Sequence, residues 1–184
     1  MTLPRGFKAN AEREAVRLRN EMGLPPNAPI SIHVLAEHLG IAVVSGEQLG
    51  ALEALEELER MQAYAFSAAT FHVKGKNYVV TNPLRTAGRL ASDVAHEVAH
   101  LLLRHELTEI REVGGIPFRT CMPEQEEQAT AMGGTLLLPR PLLMTAVSRG
   151  MNPSQIADAY GVTNEMARFR YNTTGVVKQL SRRG

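Results

Sequence analysis

The 184 residues carry 20 Lys and Arg against 19 Asp and Glu, with 44% hydrophobic and 21% charged residues and a single cysteine. That balance excludes a wholly disordered chain and an intrachain disulfide scaffold, and the near-zero net charge names no polyanion or polycation as partner. The length suits one domain or one domain with a small appendage. No run approaches the roughly 20 apolar residues that span a bilayer, and the first twenty residues lack a signal-peptide core, so the expected location is the cytoplasm, with no membrane partner.

In chain order, apolar residues at helical spacing predict a helix over 9–22, closed by Gly23 and Pro25-Pro26. Ser31 reads as the N-cap of a short helix ending at Gly40. A branched apolar run predicts a strand over 41–44, and 49–61 reads as a glutamate-rich helix. Strands are expected over 64–73 and 78–81, turned by Lys74-Gly75-Lys76-Asn77. Residues 86–105 predict a long, largely apolar and therefore buried helix. Residues 111–123, with Gly114-Gly115 and two prolines, read as a loop, and a helix over 124–138 stops at Pro139-Arg140-Pro141. The last forty residues read as helical, with Ser154 and Thr163 as N-caps and a helix-turn-helix pattern over 157–172 around Gly161-Val162. A boundary is expected between 141 and 153, giving domains 1–140 and 141–184.

The chemistry concentrates in His96-Glu97-Val98-Ala99-His100. On a helix the two histidines lie roughly 40° apart, one turn from each other, so both imidazoles can face one cation. Glu97, one residue round, can reach a metal-activated water as general base without being a ligand. The other four histidines, His33, His38, His72 and His105, show no comparable spacing. Two imidazoles and an unpaired carboxylate on a buried helix would be costly to desolvate without such a role. A catalytic ion of this type takes a third protein ligand, and Glu124, Glu126 and Glu127 on the next helix all qualify by type. Each is equally readable as an acidic first turn favoured by the helix dipole, and spacing does not choose among them.

The chain resembles the ImmA/IrrE family of metallopeptidases over nearly its whole length. Arg5-Gly6-Phe7-Lys8-Ala9 and Leu35-Ala36-Glu37-His38-Leu39-Gly40-Ile41 resemble its N-terminal helices, and Phe66-Ser67-Ala68-Ala69-Thr70 resembles the strand before its active-site helix. Arg89, Ser92-Asp93 and His96 through Leu103 match its metal helix. Glu126-Glu127-Gln128-Ala129 with Leu136-Leu137-Leu138-Pro139 matches its third-ligand helix, and Val162-Thr163 with Arg170 through Gly175 its C-terminal module. The resemblance implies an α+β fold, with a zincin-like core, a small antiparallel sheet, the metal helix and a C-terminal helix-turn-helix-like module. It implies a zinc-type metalloendopeptidase, with Glu126 as third ligand and Glu127 as alternative. The substrate it implies is a helix-turn-helix repressor, in immunity, stress response or transcription regulation. Two departures stand out: Thr130 replaces the family's Asp or Asn, and Gly133-Gly134 replaces its alanines. A Thr hydroxyl orients a ligand imidazole without charge assistance. Each glycine costs a helix about 1 kcal/mol relative to alanine.

The donor set suits Zn2+, with Mn2+ or Fe2+ as alternatives. Asp93, one turn before His96, either holds a ligand imidazole or is a surface charge. Tyr171, Arg168 and Arg170 are candidates to stabilise the oxyanion, and the exposed edge of 64–73 is the expected seat of an extended substrate. Cys121 is a possible thiol ligand that holds the enzyme off, or an inert residue. The rival reading is a DNA-binding transcription regulator, since Arg149, Arg168, Arg170, Lys178, Arg182 and Arg183 make the C-terminal segment basic; a packing module is preferred. A further alternative is a catalytically weak, metal-stabilised interaction protein.

Overall fold

The computed structural model describes residues 3–105, 109–113, 116–120 and 122–182. Helix α1 (Phe7–Glu21) buries Phe7, Ala11, Ala15 and Leu18 on one face, at the spacing the sequence predicts. It is followed by α2 (Ile32–His38), β1 (Ile41–Ser45) and α3 (Leu52–Met61). The hairpin β2 (Ala68–Val73) and β3 (Lys76–Thr81) turns on two residues, Lys74 and Gly75, both at positive φ. Such a turn matches the right-handed twist of the strands, so β3 begins two residues earlier than the expected turn allowed.

The three-stranded sheet has the order β1-β3-β2. Strand β3 pairs antiparallel with β2 but parallel with β1, so the sheet is mixed rather than antiparallel. A parallel neighbour needs a long crossover, and the segment carrying α3 and β2 supplies it. Strand β2 is therefore an edge. Its entry is fixed by Arg85, which donates to both carboxylate oxygens of Glu59 at 2.9 and 2.6 Å and to the Phe66 carbonyl at 2.8 Å.

Helix α4 (Ala87–Leu102) starts at Thr86, whose side chain accepts from the Arg89 N–H, and buries Val94, Ala95, Val98 and Ala99. It ends three residues short of the expected His105. Arg104 takes φ 54°, the Arg104 N–H bonds the Leu101 carbonyl and the His105 N–H bonds the His100 carbonyl. This is a Schellman stop with arginine in place of the usual glycine, at a cost of about 1 kcal/mol. The expected loop over 111–123 holds an antiparallel hairpin instead, β4 (Glu109–Val113) and β5 (Ile116–Thr120). The Gly114-Gly115 of that expected loop lies outside the described residues. Cys121 and Arg183 lie outside the described residues.

Helix α5 (Pro123–Leu137) is followed at once by α6 (Arg140–Ser148), in the stretch expected to link two units. The prolines stop one helix and start the next, because a first-turn proline has no intrahelical N–H to lose. In α7 (Pro153–Tyr160) the N-cap is Asn152, which accepts from the Gln155 N–H, rather than Ser154. Gly161, at φ 62°, ends α7; Thr163 caps α8 (Asn164–Thr173) as expected, and α9 (Val176–Ser181) closes the described chain.

One apolar cluster joins all of this, from Leu18 and Leu35 through Val79, Val98 and Leu136 to Leu143, Ile156, Ala167 and Val176. Two buried cations pin its layers. Arg19 donates to the carbonyls of Ala28, Ala15 and Leu136 at 2.9, 3.1 and 2.8 Å, joining α1 to the end of α5; burial pulls its pKa down to about 10. Arg170 donates to the Leu138 carbonyl at 3.0 Å and to Glu12, joining α8 to α5 and α1. Among the described residues, no helix is long and apolar enough to cross a membrane.

Candidate metal centre

Helices α4 and α5 pack face to face, and a missing side chain sets their distance. A Cβ on Gly133 would lie 2.8 Å from the Ala95 carbonyl oxygen and 3.0 Å from the His96 nitrogen. The glycine that looks like a weak point in the helix is thus a close-approach site. Glu126, Thr130 and Gly133 follow at helical spacing on one face of α5, so closing the gap at Gly133 brings the other two against His96. Gly134 meets Arg170 instead, with Cδ 3.2 Å from the would-be Cβ.

Three side chains converge there. His96 Nε2 lies 3.0 Å from Glu126 Oε2, His100 Nε2 lies 3.4 Å from Glu126 Oε1, and the two Nε2 atoms are 2.9 Å apart. The imidazoles meet edge-on at an interplanar angle of 71°. All three ligand atoms fall within 4.8 Å of one another, and among the described residues His96, His100 and Glu126 form the set able to hold a metal ion. Around a tetrahedral ion with metal–nitrogen bonds of about 2.0–2.1 Å, ligand atoms stand about 3.3 Å apart, so these three need to spread by only a few tenths of an ångström. The donor set therefore fits a divalent cation. Glu126 stays half exposed, at 48%, on the open side of the site, while His100 is buried. Burial, then the His96 charge, push the His100 pKa down to about 4, against the pull of Glu126. Its imidazole is therefore neutral and able to ligate at ordinary pH.

Glu97 points to the sheet side of α4. Thr70, on the edge strand β2, donates to Glu97 Oε2 at 2.6 Å. Burial raises the Glu97 pKa most; the Thr70 hydrogen bond and His96 oppose it, and Glu126 adds to it. Nothing in the spacing of the sequence announced this Thr70 contact, because it joins a strand to a helix 27 residues away.

The other expected residues divide. Thr130 Oγ1 stands 3.4 Å from His96 Nδ1, within reach of the second nitrogen of that ring. Asp93 accepts from Arg89 at 2.8 Å, an ion pair on the helix surface. Glu127 sits one residue round from Glu126 and is not in the converging set. Arg170 is spent on Leu138 and Glu12, Tyr171 packs against the apolar cluster, and Arg168 is exposed. Helix α8 faces inward through Ala167 and Arg170, and the turn before it is held to α4 by Ser92 Oγ, 3.2 Å from the Thr163 nitrogen. His105, which showed no useful spacing, stands 2.9 Å from the ring of His100.

The family model described as an IrrE N-terminal-like domain, of the class Peptidase M78, matches residues 36–172. No curated protein and no solved structure matches the chain.

Proposed function

The chain belongs to the ImmA/IrrE family of metallopeptidases, and on that premise we propose that it is a zincin-like, metal-dependent endopeptidase whose ligands are His96, His100 and Glu126 and whose general base is Glu97. The observation that carries the reading is the convergence of three ligand atoms within 4.8 Å, next to a carboxylate held in place by Thr70. A divalent ion there supplies Lewis-acid polarisation of the scissile carbonyl and of the attacking water. Glu97 takes the water's proton and passes it to the departing amine. Thr70 keeps one oxygen of Glu97 engaged, so the carboxylate presents its other oxygen without losing orientation. Two imidazoles and a carboxylate favour Zn2+ over Mn2+ and Fe2+ in this proposal.

Strand β2 offers the substrate its free edge, with Phe71 and Val73 about half exposed beside it. An extended segment pairing there runs past Thr70 and so past Glu97. The substrate proposed is a helix-turn-helix repressor in the cytoplasm, with residues 141–184 acting as a module that packs on 1–140 rather than as a DNA reader. The test joins metal content to cleavage of a helix-turn-helix repressor offered as substrate. Wild type holds one ion per chain and cuts; Glu97→Gln holds the ion and does not cut. Normal cleavage by Glu97→Gln refutes the general-base assignment.

A further inference from the structure

The second nitrogen of His100 opens a chain of contacts that ends on α5. His100 Nδ1 lies 2.9 Å from His105 Nδ1, and His105 Nε2 lies 3.4 Å from Gln128 Oε1. An amide oxygen can only accept, so the proton of neutral His105 belongs on Nε2, facing Gln128. His105 Nδ1 is then a lone pair and accepts the proton carried on His100 Nδ1. His100 Nε2, the atom beside His96 and Glu126, is left unprotonated with its lone pair turned into the site. A cation requires that form of the ring.

We propose that His105 is a positioning residue, held by Gln128, that fixes the tautomer and orientation of His100 for metal binding. The proposal rests on the metal-centre reading given above and adds a residue to it. The fold shows how the histidine gets there. On a continued helix His105 would sit about 140° round from His100, on nearly the opposite side. The Schellman stop reverses the chain at Arg104, and the His105 N–H closes on the His100 carbonyl at 3.0 Å. The two rings then meet edge-on, with centroids 5.0 Å apart. A non-glycine residue held at positive φ is typical of sites where surrounding contacts dictate the backbone. Gln128 comes from the same helix as Glu126 and Thr130. Helix α5 thus supplies the proposed ligand Glu126, a partner for the second nitrogen of His96 and the anchor of the residue that holds His100.

Two measurements on the full-length, metal-stripped chain test this. The first is Zn2+ affinity by competition with a chromophoric chelator. His105→Ala is expected to weaken binding by about 10–100-fold. His105→Asn recovers most of that loss, because its amide oxygen takes the place of Nδ1 as acceptor. The second is the tautomer of His100, from long-range proton–nitrogen spectra without metal. Wild type and His105→Asn show the Nδ1–H form, and His105→Ala shifts to Nε2–H. Wild-type affinity in His105→Ala, or no recovery in His105→Asn, overturns the proposal, as does an Nε2–H tautomer in the wild type. If wild type shows the Nδ1–H form yet takes up no Zn2+, the hydrogen-bond chain stands and the metal-centre reading is what falls.

Discussion

Replacing Gly133 and, separately, Gly134 by alanine isolates the contact that sets the site's geometry. Both changes gain the same helix propensity, about 1 kcal/mol, so the difference between them reports what each methyl meets. At Gly133 the methyl meets backbone: 2.8 Å to the Ala95 carbonyl oxygen, where an ordinary carbon–oxygen contact begins near about 3.3 Å. The helices must part by about half an ångström, and overpacking of this kind costs about 1–3 kcal/mol. At Gly134 the methyl meets Arg170 Cδ at 3.2 Å, a side chain that can give by a few tenths. Gly134→Ala is therefore expected within about 1 kcal/mol of wild type, and Gly133→Ala about 1–3 kcal/mol below Gly134→Ala. In a chain of this size that separates their melting temperatures by roughly 2–4 °C per kcal/mol. Urea and thermal unfolding of the metal-stripped variants measure the gap, and chelator competition reads the weaker Zn2+ binding that a displaced Glu126 and Thr130 bring. If Gly133→Ala is as stable as Gly134→Ala and binds Zn2+ as wild type does, the close-approach argument is wrong.

Thr70→Val removes the hydroxyl bonded to Glu97 and should lower kcat by about 10-fold with metal content unchanged, while Thr70→Ser stays near wild type; equal kcat in all three dismisses the positioning role of Thr70. Arg19→Ala removes one donor from each of three carbonyls and opens a cavity between α1 and α5, at a cost of about 3 kcal/mol or more in urea unfolding. A loss under about 1 kcal/mol there means the buried guanidinium contributes little. The His100 pKa, held at about 4 against an ordinary 6.5, makes the metal-free protein lose stability as pH falls through that window, because the unfolded chain takes up a proton that the folded ring refuses. The loss from this group reaches at most roughly 3 kcal/mol; urea midpoints that stay flat across the window contradict the burial of a neutral His100.

The helix that carries His96 and His100 was legible because its evidence is local. Two histidines four residues apart share a helix face whatever surrounds them, and the periodicity of α1, α4 and α5 follows from the same short-range geometry. Glutamates 124, 126 and 127 were indistinguishable by that logic, since all three stand near the start of one helix; only the packing of α5 on α4 brings Glu126 to the imidazoles. Gly133 illustrates the same limit, because a helix propensity cannot report a carbonyl from another helix 2.8 Å away. Thr70 and His105 were invisible for related reasons. One reaches Glu97 across 27 residues of chain, and the other reaches His100 through a backbone reversal at an arginine that no sequence signal marks as a helix end. The sequence by itself determined which groups could hold a cation. Tertiary structure alone decided which of them meet, because contacts between elements depend on interaxial distance and chain reversal, and neither leaves a period in the sequence.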